Sequence, residues 1–194
     1  MNAQDVLSIF EQTGALLEGH FQLTSGLHSN QYFQCAKVLQ YPQHCGSLCT
    51  VLADDARGRS VQAVVAPALG GIVVGQEVGR QLGVRTMFTE RKDGSMQLRR
   101  GFEIARGERI LVCEDVVTTG GSVNEVIELV QQAGGEVVGV SCIVDRSGGT
   151  VTFPGYAGKH MAVLTMTAVT HKPESCPLCA AGSAAVKPGS RGNK

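Results

Sequence analysis

A chain of 194 residues fits one domain, since domains usually run to roughly 100–200 residues, and it is long enough to bury a core without disulfide or metal staples. Hydrophobic residues make up 43% and charged residues 18%, and 17 basic side chains balance 17 acidic ones, so the basic excess of a protein built to coat nucleic acid is missing. The seven cysteines are scattered, the segment Met1–Val6 lacks the basic and apolar runs of a signal peptide, and no stretch approaches the ~18 apolar residues that span a bilayer; the expectation is a reducing, cytoplasmic setting with no membrane or nucleic-acid partner.

Val6, Ile9, Phe10, Thr13 and Leu17 fall near helical spacing and predict a helix over residues 3–18, ended by Gly19. Phe21 to Ser29 reads as a strand broken by a Ser-Gly turn and is followed by Tyr32–Ala36; a second helix is expected from Pro42 to Arg57. From residue 61 strands and helices alternate: strands at Val61–Ala66, Thr86–Thr89, Ile110–Cys113, Val137–Val144 and Ala162–Met166, with helices at Ile72–Leu82 and Val123–Ala133. Gly75 and Gly79 are small enough to let the first of these helices lie close to a sheet. Strand-helix-strand alternation with near-continuous apolar strands indicates an α/β fold around a mostly parallel sheet, in which ligands bind beyond the carboxyl ends of the strands.

One such end carries most of the chemistry. The run Ile110-Leu-Val-Cys-Glu-Asp-Val-Val-Thr-Thr-Gly-Gly-Ser122 brings an apolar strand to the adjacent carboxylates Glu114 and Asp115, then through Val116 and Val117 to a Thr118-Thr119-Gly120-Gly121-Ser122 loop ahead of a helix. Loop amides and the positive end of a helix dipole make a pocket for a monophosphate, to which the hydroxyls of Thr118, Thr119 and Ser122 add donors. The acids are suited instead to hydroxyls such as those of a ribose, so one unit would hold both parts of a ribose 5-phosphate. Ser122 with Glu125 three residues on is equally well a capping box. Neither a Walker loop nor a Gly-x-Gly-x-x-Gly fingerprint is present.

This stretch resembles the phosphoribosyl-pyrophosphate motif of the type I phosphoribosyltransferases, which is shared by purine, uracil and orotate enzymes. Three further segments resemble the orotate branch. Phe21-Gln-Leu-Thr-Ser-Gly-Leu-His-Ser-Asn-Gln-Tyr-Phe33 is similar to that family's N-terminal hood segment, which implies that backbone groups near Ser25 and Gly26 face the base; Thr24 stands where many members carry lysine. Arg91-Lys92 resembles the start of the mobile catalytic loop, whose cations close over departing pyrophosphate. Asp93-Gly-Ser-Met96 replaces the loop's later Lys and His, leaving those roles vacant or passing them to Arg99 or Arg100, for which a solvated hairpin is an equal account. Val144-Asp-Arg-Ser147 matches the segment whose arginine meets the orotate carboxylate, here Arg146; an ordinary strand-end arginine is the alternative. Ala66-Pro-Ala68-Leu69-Gly70-Gly71 fits the pyrophosphate loop, or a plain strand-to-helix turn.

The resemblance implies a type I phosphoribosyltransferase fold occupying residues 1–194 as one domain, with a core at about 41–170 and a small hood from about 1–40 plus a C-terminal segment. It implies transfer of ribose 5-phosphate from phosphoribosyl pyrophosphate to N1 of orotate, giving orotidine 5'-monophosphate. Mg2+ would be carried by the substrate with no direct protein ligand assigned. Arg91, Lys92 and Asp115 would be catalytic, and residues 114–122 would bind phosphoribosyl pyrophosphate together with Arg91 and Lys92. Thr118, Arg146, Ser25 and Gly26 would meet orotate. A loop shared with a neighbouring subunit implies a homodimer. The competing functions are a phosphoribosyltransferase for another base and a non-catalytic nucleotide-sensing regulator that binds nucleic acid.

The tail, with Cys176-Pro-Leu-Cys179 and Lys187-Pro-Gly-Ser-Arg191, resembles that of one bacterial subgroup of orotate enzymes. The cysteine pair supplies two of the four ligands a structural zinc needs, with His171 nearby and Cys113 and Cys142 elsewhere. Two reduced thiols, with neither metal nor redox role, are the expectation.

Overall fold

The computed structural model describes residues 1–23, 25–167 and 169–188; Thr24, with its departure from the family's lysine, and the end of the tail segment fall outside them. Helix α1 (Ala3–Gln12) begins at a capping box in which Asn2 and Asp5 exchange hydrogen bonds. It is six residues shorter than its periodicity suggests. Gly14 takes a left-handed φ of 62°, the chain reverses, and Leu16 already opens strand β1 (Leu16–Gln22). The apolar residues 16 and 17 thus belong to a strand, which spacing alone could not separate from one more helical turn.

Strand β1 pairs antiparallel with β2 (His28–Phe33). Short α2 (Ala36–Leu39) and then α3 (Pro42–Ala56), which starts on a proline in its first turn, lead into the large sheet. That sheet is built from β3 (Ala63–Pro67), α4 (Gly70–Leu82), β4 (Arg85–Lys92), β5 (Ser95–Leu98), β6 (Arg109–Val117), α5 (Gly121–Gln132), β7 (Glu136–Asp145) and β8 (Met161–Thr165). Its strand order is β5-β4-β3-β6-β7-β8, parallel throughout except where β5 folds back on β4. This is the α/β sheet flanked by helices that the alternation predicts. The two-residue strand β9 (Thr170–His171) returns to pair with β2, making a separate three-stranded sheet from the two ends of the chain. Beyond it, Cys176 precedes α6 (Pro177–Ala180), which carries Cys179, and Val186 bridges to Phe21 on the free side of β1.

Successive strand residues point to opposite faces, and the core divides accordingly. Val64, Ala66, Leu111, Cys113 and Ile143 face α1, α3 and α4, whereas Ala63, Val65, Ile110, Val112 and Cys142 face α5, whose Val123, Val126, Ile127 and Val130 are all buried. Cys113 and Cys142 are therefore core residues inside the sheet. No helix among the described residues is long and apolar enough to cross a membrane.

Helix α4 lies against β3 and β4 at glycine distance. A Cβ on Gly75 would come within 2.9 Å of the Ala66 Cβ and 3.4 Å of Val64 Cγ1. The Ala66 carbon is fixed to the strand backbone, so the helix itself would have to retreat. Gly46 in α3 would meet only the Glu77 carboxylate, at 3.5 Å. Gly75→Ala should therefore destabilise by about 1–3 kcal/mol through overpacking. Gly46→Ala should be neutral or stabilise by up to about 1 kcal/mol through helix propensity. Urea denaturation of the two variants side by side measures the contrast, and equal effects would refute the close approach of α4.

Candidate active site

The parallel strands end on one edge of the sheet. There β3 leads through Ala68 and Leu69 into α4, β6 through Thr118–Gly120 into α5, and β7 into Arg146. A cleft of about 630 Å³ opens over this edge, roofed by Leu23, Ser25 and Tyr32 from the small sheet. Residues Glu114 to Ser122 line it continuously, joined by Arg91 and Arg146.

The acid pair sits inside β6, which runs four residues past the apolar stretch to Val117. Glu114 is 9% exposed. Its Oε1 accepts from the Asp115 amide at 3.0 Å, and Asp115 Oδ1 accepts from the Val116 amide at 2.9 Å. Burial raises the Glu114 carboxyl well above the ordinary carboxylate range, and the adjacent Asp115 charge adds to it. Asp115 is raised as well, again by burial, against the opposing hydrogen bonds it accepts. Like charges this close do not ionise together easily, so the pair retains a proton that its unfolded counterparts would release. Underneath lies the Gly70–Gly71 turn. A Cβ on Gly70 would overlap the Asp115 carboxylate, and one on Gly71 would come within 2.9 Å of Glu114 Oε1. These glycines support the acids from below; they do not line the cleft, and Leu69 beside them is exposed.

At the loop, Gly120 is the N-cap of α5 with φ 77°, and no side chain caps the helix. The capping-box reading of Ser122 with Glu125 is corrected accordingly. Ser122 lies inside the first turn, and Glu125 instead pairs with Arg91 and accepts from the Met96 amide at 3.3 Å. The first-turn amides and the hydroxyls of Thr118, Thr119 and Ser122 are left facing the cleft.

Arg146 is 9% exposed, its Nε is buried without a hydrogen-bond partner, and among the described residues it makes no ion pair within 4.0 Å. Its guanidinium stands 6.0 Å over the Tyr32 ring, and burial lowers its pKa. The alternative of an ordinary surface arginine does not fit a buried side chain. Its neighbour Asp145, fully buried, accepts from the amides of Ser147 (2.7 Å) and Gly149 (3.0 Å) and pairs with His160 at 2.9 Å, which fixes the turn that presents Arg146.

The remaining expected residues are placed differently. Lys92 ends β4 in an exposed hairpin and does not line the cleft, and neither does Gly26, which takes the turn at φ 83°. Arg99 and Arg100 both pair with Glu90, at 3.4 and 3.1 Å, on the flank of that hairpin. Sequence reasoning gave no site role to Tyr32, Cys35 or Asp145, and gave Glu125 only the capping-box role. Tyr32 and Asp145 lay within the quoted hood and Val144–Ser147 segments, which was their only signal.

A sequence profile of the phosphoribosyl transferase domain matches residues 38–153. An orotate phosphoribosyltransferase from Chlorobium phaeobacteroides is 56% identical over 100% of this chain and 99% of its own length. Another, from Desulforamulus reducens, is 55% identical over 98% of both. The chain belongs to the orotate phosphoribosyltransferase family. Among solved structures, orotate phosphoribosyltransferase from Aeropyrum pernix superposes with a TM-score of 0.70 at 23% identity, covering 82% of this chain and 93% of that one. Adenine phosphoribosyltransferase from Rhodothermus marinus does so at 0.67 and 20%, covering 85% and 100%. At such identities these two speak for a common fold, which orotate and adenine phosphoribosyltransferases share.

In this orotate phosphoribosyltransferase relative the raised acids have a consequence for stability. Below the unfolded carboxyl pKa of about 4.3 both states hold the proton and nothing is lost. As pH rises, the unfolded chain releases its proton first, so stability falls until the folded pKa is reached. Glu114→Gln removes this cost. Its melting temperature should match the native one near about pH 4.5 and exceed it by roughly 2–4 °C at about pH 8, what ~1 kcal/mol is worth in a chain this size. A thermal melt series against pH reads the difference, and a variant less stable at every pH would contradict the buried-acid account.

Proposed function

We propose that this chain transfers ribose 5-phosphate from phosphoribosyl pyrophosphate to N1 of orotate, releasing orotidine 5'-monophosphate and pyrophosphate, as the function of its family implies. The observation that carries the choice of base is Arg146: a buried guanidinium in the cleft wall without a carboxylate of its own. Orotate brings a planar carboxylate, which uracil and the purines lack, and Arg suits it bidentately.

The other roles follow from placement. The first-turn amides of α5 with Thr118, Thr119, Gly120, Gly121 and Ser122 hold the 5-phosphate at the helix N-terminus. Glu114 and Asp115 take the ribose hydroxyls, and Thr118 and Arg146, with Ser25 in the same cleft lining, orient orotate. Ahead of Gly70 and Gly71, the turn at Ala68 and the exposed Leu69 offers backbone to the diphosphate. Bond breaking at the anomeric carbon gives the ribose oxocarbenium character, which the adjacent acids stabilise electrostatically. Hard oxygen donors at Glu114 and Asp115 suit Mg2+, which would enter on the diphosphate and neutralise its charge, with those acids as partners directly or through water. The whole chain acts as one domain, with the three-stranded sheet as its hood. The seven free cysteines suit a cytoplasmic setting.

Lys92 and Arg91 stabilise leaving-group charge. The exposure of Lys92, outside its own cleft, supports its use in a second copy's site and hence a homodimer. Lys92→Ala and Asp115→Asn should each lose most turnover. Mixed and allowed to exchange subunits, they should regain about a quarter of native activity, because only heterodimers carry an intact site, built from Asp115 of one copy and Lys92 of the other. No recovery despite confirmed exchange would place Lys92 in its own subunit's site.

The base assignment is tested by Arg146→Ala, assayed by pyrophosphate release with orotate beside uracil and hypoxanthine. We expect kcat/KM for orotate to fall about 100-fold, the ~3 kcal/mol of a charge-assisted pair, with KM for phosphoribosyl pyrophosphate little changed. Unchanged orotate kinetics, or a native preference for uracil or hypoxanthine, would sink the reading.

A further inference from the structure

Away from the cleft, four residues that the transfer reaction does not use converge on one point. His20 from β1 and His28 from β2 meet Cys176 and Cys179 from the C-terminal tail, with one ligand atom from each lying within 4.8 Å of all the others. His20 Nε2 is 3.5 Å from Cys176 Sγ and 3.7 Å from Cys179 Sγ, and His28 Nδ1 is 3.3 Å from Cys179 Sγ. Ligands held by one tetrahedral zinc at about 2.0–2.1 Å (nitrogen) and 2.3 Å (sulfur) stand about 3.5 Å apart, so these nitrogen–sulfur spacings already fit. The two imidazoles lie 2.8 Å apart, a hydrogen-bond distance, and must part by about half an ångström to share a metal.

We infer that His20, His28, Cys176 and Cys179 form a structural zinc site that locks the C-terminal tail onto the hood. Four features support it. Three of the four are buried: His20 at 5% exposed, His28 at 7% and Cys176 at 2%. Burying two imidazoles and the Cys176 thiol together leaves few good partners unless something binds them all. His20 Nδ1 lies 2.9 Å from the Ser183 carbonyl, so it carries the proton and donates, leaving the Nε2 lone pair directed at the cluster; this outer contact is typical of metal-bound histidine. Two thiolates and two neutral imidazoles balance a divalent charge, and an S2N2 set selects zinc over the oxygen-seeking Mg2+. Finally, among the described residues the backbone of the tail pairs with the small sheet at the two-residue β9 and at Val186, and the cluster joins the two between those points.

The expectation of two bystander thiols is thereby reversed. The missing ligands are neither His171, which pairs in β9, nor Cys113 and Cys142, which lie in the sheet core. They come from the other end of the sequence, with seven residues between the two histidines, a spacing that no short zinc pattern announces. A Cys176–Cys179 disulfide is the rival outcome, and it would leave both histidines without a role.

The inference does not rest on the proposed reaction, since none of the four residues lines the cleft. The test uses untagged full-length protein purified in reductant without chelator. Elemental analysis should find about one zinc per chain, and the chain stripped with a strong chelator should take up one equivalent of added zinc and melt several degrees higher for it. Cobalt(II) in its place should give the intense visible bands of a tetrahedral thiolate site. Cys176→Ser/Cys179→Ser should retain no zinc. Because that variant could lose its tail packing, His20→Cys serves as the second arm: it keeps a four-ligand set and should still bind zinc, whereas His20→Ala should not. A native chain that neither contains zinc nor binds it on titration, or one whose mass shows a Cys176–Cys179 disulfide under reductant, overturns the site.

Discussion

Two carboxylates held out of water within one strand set the terms for everything around them. Burial raises both Glu114 and Asp115, the Asp115 charge raises Glu114 further, and the Gly70–Gly71 turn leaves room for no side chain beneath them. Evolutionary optimisation for stability alone would replace such a pair. Their location makes sense only if a ligand with hydroxyls, or a cation travelling with it, compensates the charge when the site fills. The free chain thus stores a deficit that substrate relieves, and that differential is what binding energy needs in order to act on the reacting centre and not merely on affinity.

Charge of the opposite sign is held ready on the far wall. Arg146 stays buried over Tyr32, with Asp145 tied up by Ser147, Gly149 and His160 and so unavailable to neutralise it. Desolvated acids on one side and a desolvated guanidinium on the other would collapse onto each other if the cleft were narrow. The two sit at the ends of different strands, β6 and β7, and among the described residues no ion pair within 4.0 Å joins them. The proposed substrates would match such a divided field: a carboxylate for the arginine, a sugar for the acids, a phosphate for the helix end.

Much of this was legible in the sequence, and for identifiable reasons. Apolar β6 followed by two acids and a Thr-Thr-Gly-Gly-Ser loop is local, so its strand-loop-helix form and its place in the cleft wall follow from twelve or so neighbouring residues. The core strands were equally readable because burial on both faces makes them continuously apolar. Legibility fails where the deciding contact is distant or where two periods coincide. Leu16 and Leu17 satisfy helix and strand alike, and only the Gly14 turn separates them. Ser122 and Glu125 spell a capping box, yet Glu125 is taken by Arg91 from a different hairpin. Arg91 and Lys92 resemble the start of a catalytic loop, but where Lys92 stands relative to the cleft depends on β5 folding back on β4.

The small sheet shows the same limit at its most severe. The cysteines of a tail and the histidines of a hairpin lie more than 140 positions apart, so neither half carries a complete signal. What unites them is that β9 and Val186 return the tail to both edges of the β1–β2 pair. A three-stranded sheet with one strand of two residues has little apolar burial to hold it, and Ser25 and Tyr32 must nevertheless keep their place above the cleft. Cross-linking the tail to the hairpin at the cluster limits the freedom of that roof without adding a side chain to the site. The rigidity needed to hold Tyr32 under Arg146 would then come from chemistry some distance from the substrates, which is why the two ends of this chain have to be considered together with its central motif.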